Sequence, residues 1–240
     1  MGKDIKQFIE KLQEYKSDAN VFNPWRDYDK CFDIGPEAPN IRSKQMEQFL
    51  NIRMTSPKFL LVAEAVGYQG GKFTGMALTS ERMLMGFHKF INSSALLKDL
   101  ESQRTSNSDN IILKETQRRF GFTEPTATII WKEILRYKIS PYQVITWNIF
   151  PFHPYNPKKG RLSNRTPTAV ELEVGMHYTE ILYEICPDIT VISIGRYSND
   201  ALNRLGIKNY PVPHPANGNS LKFKSAIKGI LDLDGKIKYK

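Results

Sequence analysis

Short apolar runs alternate along this chain with longer segments in which apolar residues recur at helical spacing. Four of the runs have the length and composition of buried strands: residues 59–63, 144–147, 190–194 and 210–212. Some of the segments between them carry helix-start signals, such as a threonine followed by a proline. Strands that alternate with helices are typical of a parallel sheet with right-handed crossovers. We therefore predict an α/β fold with three layers, α/β/α, around a central, mostly parallel four-stranded sheet.

The rest of the chain is expected to be helical or irregular. Two amphipathic segments precede the first predicted strand. A helix is predicted from about residue 80 to residue 91, and the polar segment 93–110 is expected to be mobile. Because the 240-residue chain shows no linker or shift in composition, we expect one domain, 1–240, with an N-terminal helical extension at about 1–55.

The composition is that of a basic protein with a packed core. Apolar residues make up 40% of the chain and the net charge is +9, so a polyanionic partner is as plausible as an ordinary basic surface. The two cysteines, Cys31 and Cys186, cannot form a disulfide framework or a four-thiolate cluster. The charged N-terminus lacks a signal-type apolar core, and no run approaches ~18 apolar residues. These features predict a soluble, cytoplasmic protein.

Two loops that are far apart in the sequence carry groups with catalytic potential. Glu64 follows an apolar run and precedes a glycine-rich turn, and His214 lies between two prolines that stiffen its backbone. A carboxylate at the end of a buried strand is costly unless it has a partner or a role. Ligands of open α/β sheets bind outside the carboxyl ends of the strands. We therefore expect both side chains to line one cleft, although Glu64 could instead hold backbone amides of its own loop.

Four segments around these loops occur in an informative order. They are "AEAVG" (63–67), "VITWNIFPFHP" (144–154), "TVISIGRYSNDAL" (190–202) and "HPAN" (214–217). In this order they resemble the uracil-DNA glycosylase superfamily: a first motif of the type GEAPG, a middle strand, a third strand with its glycine turn and helix, and a second motif of the type HPSP. The resemblance implies a DNA glycosylase, and two cysteines could not ligate the iron–sulfur cluster that one branch carries.

The resemblance also implies roles for individual residues. His214 matches the histidine that donates to the O2 atom of the departing base, and Glu64 takes the place of the family's glutamate, which we expect to orient water. Ala65 stands where the uracil-specific branch has an aspartate. Asn148 matches the asparagine that reads the pyrimidine edge with one donor and one acceptor. From the sequence alone, Asn148 could equally bond nearby backbone, and His153 could also line the pocket.

Further positions are expected to contact the base or the DNA backbone. Tyr68 could stack on the base or belong to the core, and Leu78 takes the position of the family's stacking aromatic residue. The basic loop after the second strand is expected to contact phosphates, and the residues after His214 take the place of the family's strand-separating loop. The expected DNA-binding residues are Lys158, Lys159, Arg161, Arg165, Asn217 and Asn219.

The sequence thus predicts a monomeric DNA glycosylase-like enzyme whose partner is DNA and not a membrane. It would flip a damaged base, uracil in the first instance, out of DNA and hydrolyse its glycosidic bond without a metal or another cofactor. Two alternatives stay open. One is a glycosylase for another deaminated base, such as hypoxanthine or xanthine, which Leu78 favours. The other is a non-catalytic nucleic-acid-binding relative that keeps the fold and the pocket.

Overall fold

The computed structural model describes residues 2–237, apart from the side chains of Lys3 and of residues 232–237. The two ends of the predicted domain, Met1 and residues 238–240, lie outside the described residues. The helices are α1 (Gly2–Glu14), α2 (Ala38–Arg53), α3 (Gly71–Thr74), α4 (Glu81–Leu84), α5 (Ser94–Leu97), α6 (Glu115–Phe120), α7 (Pro125–Arg136), α8 (Ala169–Ile185), α9 (Arg196–Arg204) and α10 (Ser220–Ile237). The strands are β1 (Val21–Phe22), β2 (Phe59–Ala65), β3 (Val144–Phe150), β4 (His153–Pro154), β5 (Thr190–Ile194) and β6 (Asn209–Val212). Across residues 2–237, no helix is both long and apolar enough to span a membrane.

A four-stranded parallel sheet with the order β3-β2-β5-β6 forms the centre of the protein. Every residue of β3 and the first five of β2 are buried, which explains why these strands are continuous apolar runs in the sequence. Helices flank the sheet on both faces, and the predicted α/β/α architecture is confirmed. The four predicted strands are present, and β2 and β3 extend beyond their predicted ends to Ala65 and Phe150.

The start of α8 is fixed by its cap and by close packing on the sheet. The Thr168 side chain accepts a hydrogen bond from the Glu171 N–H, and the Thr168 N–H donates to the Glu171 carboxylate at 2.7 Å, which together form a capping box. Further along the helix, Gly175 faces β3 so closely that a Cβ atom would lie 2.0 Å from the carbonyl oxygen of Ile149. The missing side chain therefore lets α8 approach the sheet.

The N-terminal segment packs into the same apolar core as the sheet. Helix α1 contributes Ile5, Phe8 and Leu12, and the Phe8 ring centroid lies 5.5 Å from that of Trp147. The Trp25 ring stacks with the Trp147 ring at a centroid distance of 6.5 Å. Strand β1 pairs antiparallel with β4, a two-stranded ribbon that the sequence pattern did not predict. One hydrophobic cluster contains buried residues from α1 to α10.

Residues 80–110 differ from the prediction. The helix expected to reach Ile91 ends at α4, because the chain turns at Gly86, whose φ of 76° lies in the left-handed region. The polar segment that follows is anchored: the Glu81 carboxylate accepts hydrogen bonds from the N–H groups of Thr105 and Ser106 at 3.1 and 2.8 Å. Thr105 and Ser106 are thus polar residues of this segment that make buried hydrogen bonds.

We expect Gly175→Ala to lower the free energy of unfolding by about 1–3 kcal/mol or more, because the new methyl group would meet backbone atoms that cannot rotate away. Gly229→Ala is the matched control, since a Cβ there meets nothing within 4 Å in α10. That change should stabilise the helix by up to about 1 kcal/mol. Urea unfolding of both variants measures the difference, and equal effects would contradict the close approach of α8 to β3.

Candidate active site

A cleft of about 330 Å³ opens at the carboxyl ends of the parallel strands, and its volume is within the range of small-molecule sites. The end of β2, the loop before α8 and the loop after β6 form its walls. The lining residues are Glu64, Ala65, Val66, Gly67, Asn164, Arg165, Thr166 and His214. A larger cleft of about 580 Å³ beside β1 has no histidine in its lining, so side-chain chemistry rather than volume identifies the site.

Glu64 contributes a half-buried carboxylate to this cleft. It is the penultimate residue of β2, where the strand leaves the sheet and the glycine-rich turn begins. Burial raises the pKa of Glu64 above its ordinary value of 4.5, and a hydrogen bond with the Thr166 side chain opposes the shift. The carboxylate is thus a stronger base than an exposed glutamate, and Thr166 helps to keep it ionised.

His214 faces Glu64 across the cleft with a defined tautomer. The Ala216 N–H donates to Nδ1 of His214 at 3.2 Å, and a backbone N–H can only donate, so Nδ1 carries a lone pair. Burial lowers the pKa of His214 below 6.5, which keeps the ring neutral at pH 7. A neutral ring with its lone pair on Nδ1 carries its proton on Nε2. Gly195, with φ of 90°, lies directly against His214: a Cβ atom at Gly195 would be 3.3 Å from Cβ of His214.

Asn148 lies one residue deeper in the sheet than Glu64 and pairs with Ala63 of β2. Side chains alternate along a strand, so Asn148 and Ala63 point to the opposite face from Glu64. Asn148 is 3% exposed, and its amide makes no hydrogen bond with another of the described residues. It does not line the cleft as the sequence analysis expected, but it offers unused hydrogen-bonding capacity close to the strand ends.

The structure places Tyr68 and Leu78 outside the cleft lining. Tyr68 is half-buried and meets the ring of Phe122 edge-on, with a centroid distance of 6.2 Å. Leu78 is 4% exposed within the main core, and its carbonyl accepts a hydrogen bond from Nε1 of Trp131 at 3.0 Å. Both side chains therefore pack against protein rather than facing the cleft in this structure.

His153 is a supporting residue of the cleft wall. Its ring is fully buried, with Nδ1 2.9 Å from the Val66 carbonyl oxygen and Nε2 3.0 Å from that of Arg161. Burial lowers the pKa of His153 to about 4, so the ring is neutral at pH 7. A neutral ring carries one N–H, so His153 donates to one of these two carbonyl oxygens and only packs against the other, outside the cleft lining.

Two enclosed charged groups lie beside the glycine-rich turn that follows Glu64. Lys72 is fully buried and bonds to the carboxylate of Asp29 at 3.1 Å, and burial lowers the pKa of Lys72 to about 8. A Cβ atom at Gly70 would lie 2.0 Å from Oε2 of Glu124. That oxygen is enclosed without a hydrogen-bond partner among the described residues, and burial raises the pKa of Glu124 to about 7. The turn therefore packs tightly against both groups.

The basic loop presents two exposed lysines and two arginines with carboxylate partners. Lys158 and Lys159 lie at an exposed turn and form no ion pair with the described residues. Arg161 lies 3.5 Å from a buried carboxylate of the N-terminal segment. Arg165 makes two hydrogen bonds with the Glu171 carboxylate, at 2.7 and 2.6 Å. The two arginines thus bind carboxylates of the protein, whereas the two lysine ammonium groups are available to bind an external anion.

The loop after His214 turns sharply but stays outside the cleft lining. Asn217 is exposed, and both Asn217 and Gly218 have left-handed backbones, with φ of 55° and 79°. Asn219 is half-buried, and its N–H donates to the Ala216 carbonyl at 3.2 Å. The two asparagines predicted to contact DNA therefore follow closely after Ala216, whose N–H donates to Nδ1 of His214.

Asn164 and Thr166 line the cleft although the sequence analysis did not select them. Oδ1 of Asn164 accepts a hydrogen bond from the Tyr68 N–H at 3.1 Å, and Thr166 bonds to Glu64. In the sequence, Thr166 precedes a proline, a pattern that predicts a helix start. Its contact with a residue about a hundred positions earlier has no local signal.

Comparison with known proteins gave a structural likeness without a sequence match. No family model matches the chain, and no curated protein matches it. The fold is similar to that of wild-type SMUG2 from Pedobacter heparinus in its crystal structure, with a TM-score of 0.61 and 12% sequence identity. The similarity covers 99% of each chain. At this identity the likeness establishes the shared fold over nearly the whole length.

Glu124 gives the site a measurable pH dependence of stability. Its pKa of about 7 in the folded protein lies above the ordinary 4.5, so the folded state holds a proton that the unfolded state has lost. The wild type should therefore lose stability as pH rises from 4.5 to 7, by up to about 3 kcal/mol relative to Glu124→Gln. Urea unfolding at pH 5 and pH 8 measures this difference, with the exposed Glu115→Gln as control. Parallel pH profiles for wild type and Glu124→Gln would contradict the assignment.

Proposed function

We propose that this protein is a DNA glycosylase-like enzyme that hydrolyses the N-glycosidic bond of a flipped, damaged base, with uracil as the first candidate. One observation carries the proposal: a carboxylate and a neutral imidazole, Glu64 and His214, line the same cleft at the carboxyl ends of the parallel strands. The motif resemblance to the uracil-DNA glycosylase superfamily and the fold shared with SMUG2 support it. An enzyme acting on a base needs such a pocket, because the reacting atoms are inaccessible inside a duplex.

The two side chains have complementary tasks in this reaction. As the C1′–N1 bond breaks, the electron pair stays on the base and positive charge develops on the sugar. The Nε2–H of His214 is suited to donate to the base oxygen that gains this negative charge, a contact that strengthens in the transition state. The Glu64 carboxylate orients a water molecule whose oxygen adds to C1′, and it accepts the proton that this water releases.

Base recognition is assigned to Asn148 on the motif resemblance: its amide makes no hydrogen bond within the described residues, and a base would have to reach it beyond the cleft lining. A side-chain amide provides one donor group and one acceptor, which matches the N3–H and carbonyl edge of uracil. A base with this pattern would pair with both groups of the amide, whereas a base with the reversed pattern would not. Ala65 forms part of the cleft wall, where its small side chain leaves room for the base.

Binding to the DNA backbone is assigned first to Lys158 and Lys159. Their charges are exposed and unpaired within the described residues, whereas Arg161 and Arg165 each have a carboxylate partner. Asn217 and Asn219 follow His214 on an exposed turn and would contact the strand near the flipped nucleotide. We further propose that the protein acts as a single-domain monomer without a metal.

A glycosylase for hypoxanthine or xanthine is the second candidate. The observation in its favour is that the cleft lining contains no phenyl, phenol or indole ring that would stack on a uracil. Tyr68 and Leu78 pack elsewhere, so selection by stacking is weak. Oligonucleotides that carry each of the three bases distinguish the candidates.

We expect His214→Ala to reduce the single-turnover excision rate by about 10²–10³-fold, because the mutation removes one donor to the developing anion. Affinity for DNA should remain nearly unchanged, and the exposed His177→Ala should behave as wild type.

Asn148→Ala should slow excision and also narrow the rate difference between uracil and the other two bases. Wild-type rates in both the His214 and the Asn148 variants would contradict these roles.

The pH dependence of excision tests the role of Glu64. The carboxylate must be ionised to accept a proton, and burial raises its pKa above 4.5, so the excision rate should fall as the pH is lowered through that raised pKa. Glu64→Gln should be slow and should lack this acidic limb, whereas the exposed Glu180→Gln should retain it. An unchanged acidic limb in Glu64→Gln would assign proton acceptance to another group.

A further inference from the structure

Away from the cleft, exposed phenylalanines and basic side chains form one continuous surface. We name it the aromatic–basic surface. It lies on the turn after α4, on α6 and on the outer side of α7. Its members are Arg82, Phe87, Lys89, Phe90, Arg119, Phe120 and Lys132. None of them lines the cleft that contains Glu64.

The rings on this surface are unusually accessible for phenylalanine. Phe87 and Phe90 are each 53% exposed, and Phe87 meets Phe120 edge-on with a centroid distance of 5.4 Å. Gly86, directly before Phe87, has a left-handed backbone with φ of 76°. Exposed apolar clusters of this kind mark interaction surfaces more often than isolated exposed residues do.

The cations of the surface are not neutralised by the protein. Lys132 Nζ lies 3.4 Å from the ring centroid of Phe90, and the Arg119 guanidinium lies 4.9 Å from that of Phe120. Neither these two cations nor Lys89 forms an ion pair with a carboxylate of the described residues. Burial lowers the pKa of the neighbouring His88, and the positive charges of Lys132 and Arg82 lower it further.

Exposed rings among unpaired cations fit a ligand that offers flat apolar faces and negative charges together. A single-stranded nucleic acid does so, because its bases can stack on aromatic rings while its phosphates contact lysine and arginine. A duplex hides the faces of its bases, and an acidic peptide offers charge without flat faces. The surface therefore favours single strands.

We propose that the aromatic–basic surface is a binding site for single-stranded nucleic acid, separate from the cleft. Bases stack on Phe87 and Phe90, and Lys89, Arg119 and Lys132 contact phosphates. The surface is connected to the cleft region through α7, since Glu124, directly before this helix, packs against Gly70 of the glycine-rich turn. Lys132 follows the start of α7 by about two helical turns, or roughly 10 Å.

The first test measures binding of a fluorescein-labelled oligothymidine of about 12 nucleotides, without any damaged base, by fluorescence anisotropy. Phe87→Ala/Phe90→Ala should weaken binding by about tenfold or more. Tyr210→Ala is the matched control, because this ring is 40% exposed on the edge strand β6, and it should bind as wild type. Circular dichroism and thermal melting check that the double variant is folded.

The second test separates the charges from the rings. Lys89→Gln/Lys132→Gln should reduce the slope of log affinity against log salt by about 0.7 for each lost phosphate contact, and the exposed Lys208→Gln should leave it unchanged. His214→Ala should bind the oligothymidine as wild type, so failure of the proposed glycosylase activity and failure of this surface are detected separately. Wild-type affinity in the phenylalanine double variant overturns the proposal. If that variant instead loses a self-association that the wild type shows in sedimentation, the surface is a protein interface and the proposal is also overturned.

Discussion

The parallel register of β2 with its two neighbours is the constraint on which the site depends. Phe59 lies opposite both Val144 and Thr190, so the three strands start together and end at the same edge of the sheet. The loops that follow β2 and β6 consequently meet there, and Glu64 and His214 share a cleft although 150 positions separate them in the chain. Gly175 lets α8 lie close to β3, and the loop before this helix contributes Thr166, which bonds to Glu64.

Partial burial then gives the two facing groups their chemical character. Loss of water raises the pKa of the Glu64 carboxylate and lowers that of the His214 imidazole, so one becomes a better base and the other stays neutral. A hydrogen bond from Thr166 limits the rise in the pKa of Glu64, and the Ala216 N–H selects the tautomer of His214. A half-buried carboxylate and a neutral imidazole thus line one cleft, and the proposed function uses them as proton acceptor and hydrogen-bond donor.

Local patterns were sufficient to predict the sheet, and topology was sufficient to predict that Glu64 and His214 converge. Buried parallel strands are apolar runs, and their carboxyl ends form the usual binding edge. Contacts between distant segments could not be predicted in this way. Arg165 forms an ion pair with Glu171, Lys72 forms one with Asp29, and Leu78 packs in the core. Each of these contacts depends on a partner that no local sequence signal identifies. For the same reason, the hydrogen bonds from Thr105 and Ser106 to the Glu81 carboxylate could not be predicted within the polar segment 93–110.

The central claim is that the cleft with Glu64 and His214 removes a base from DNA. The most direct measurement is incubation of the wild-type protein with labelled oligonucleotides that contain uracil, hypoxanthine or xanthine, followed by alkaline cleavage at abasic sites. Strand cleavage is expected at the position of uracil, and it should be lost when Glu64 and His214 are both replaced. Intact strands for all three bases, under conditions in which the protein is folded and binds the oligonucleotides, would contradict it.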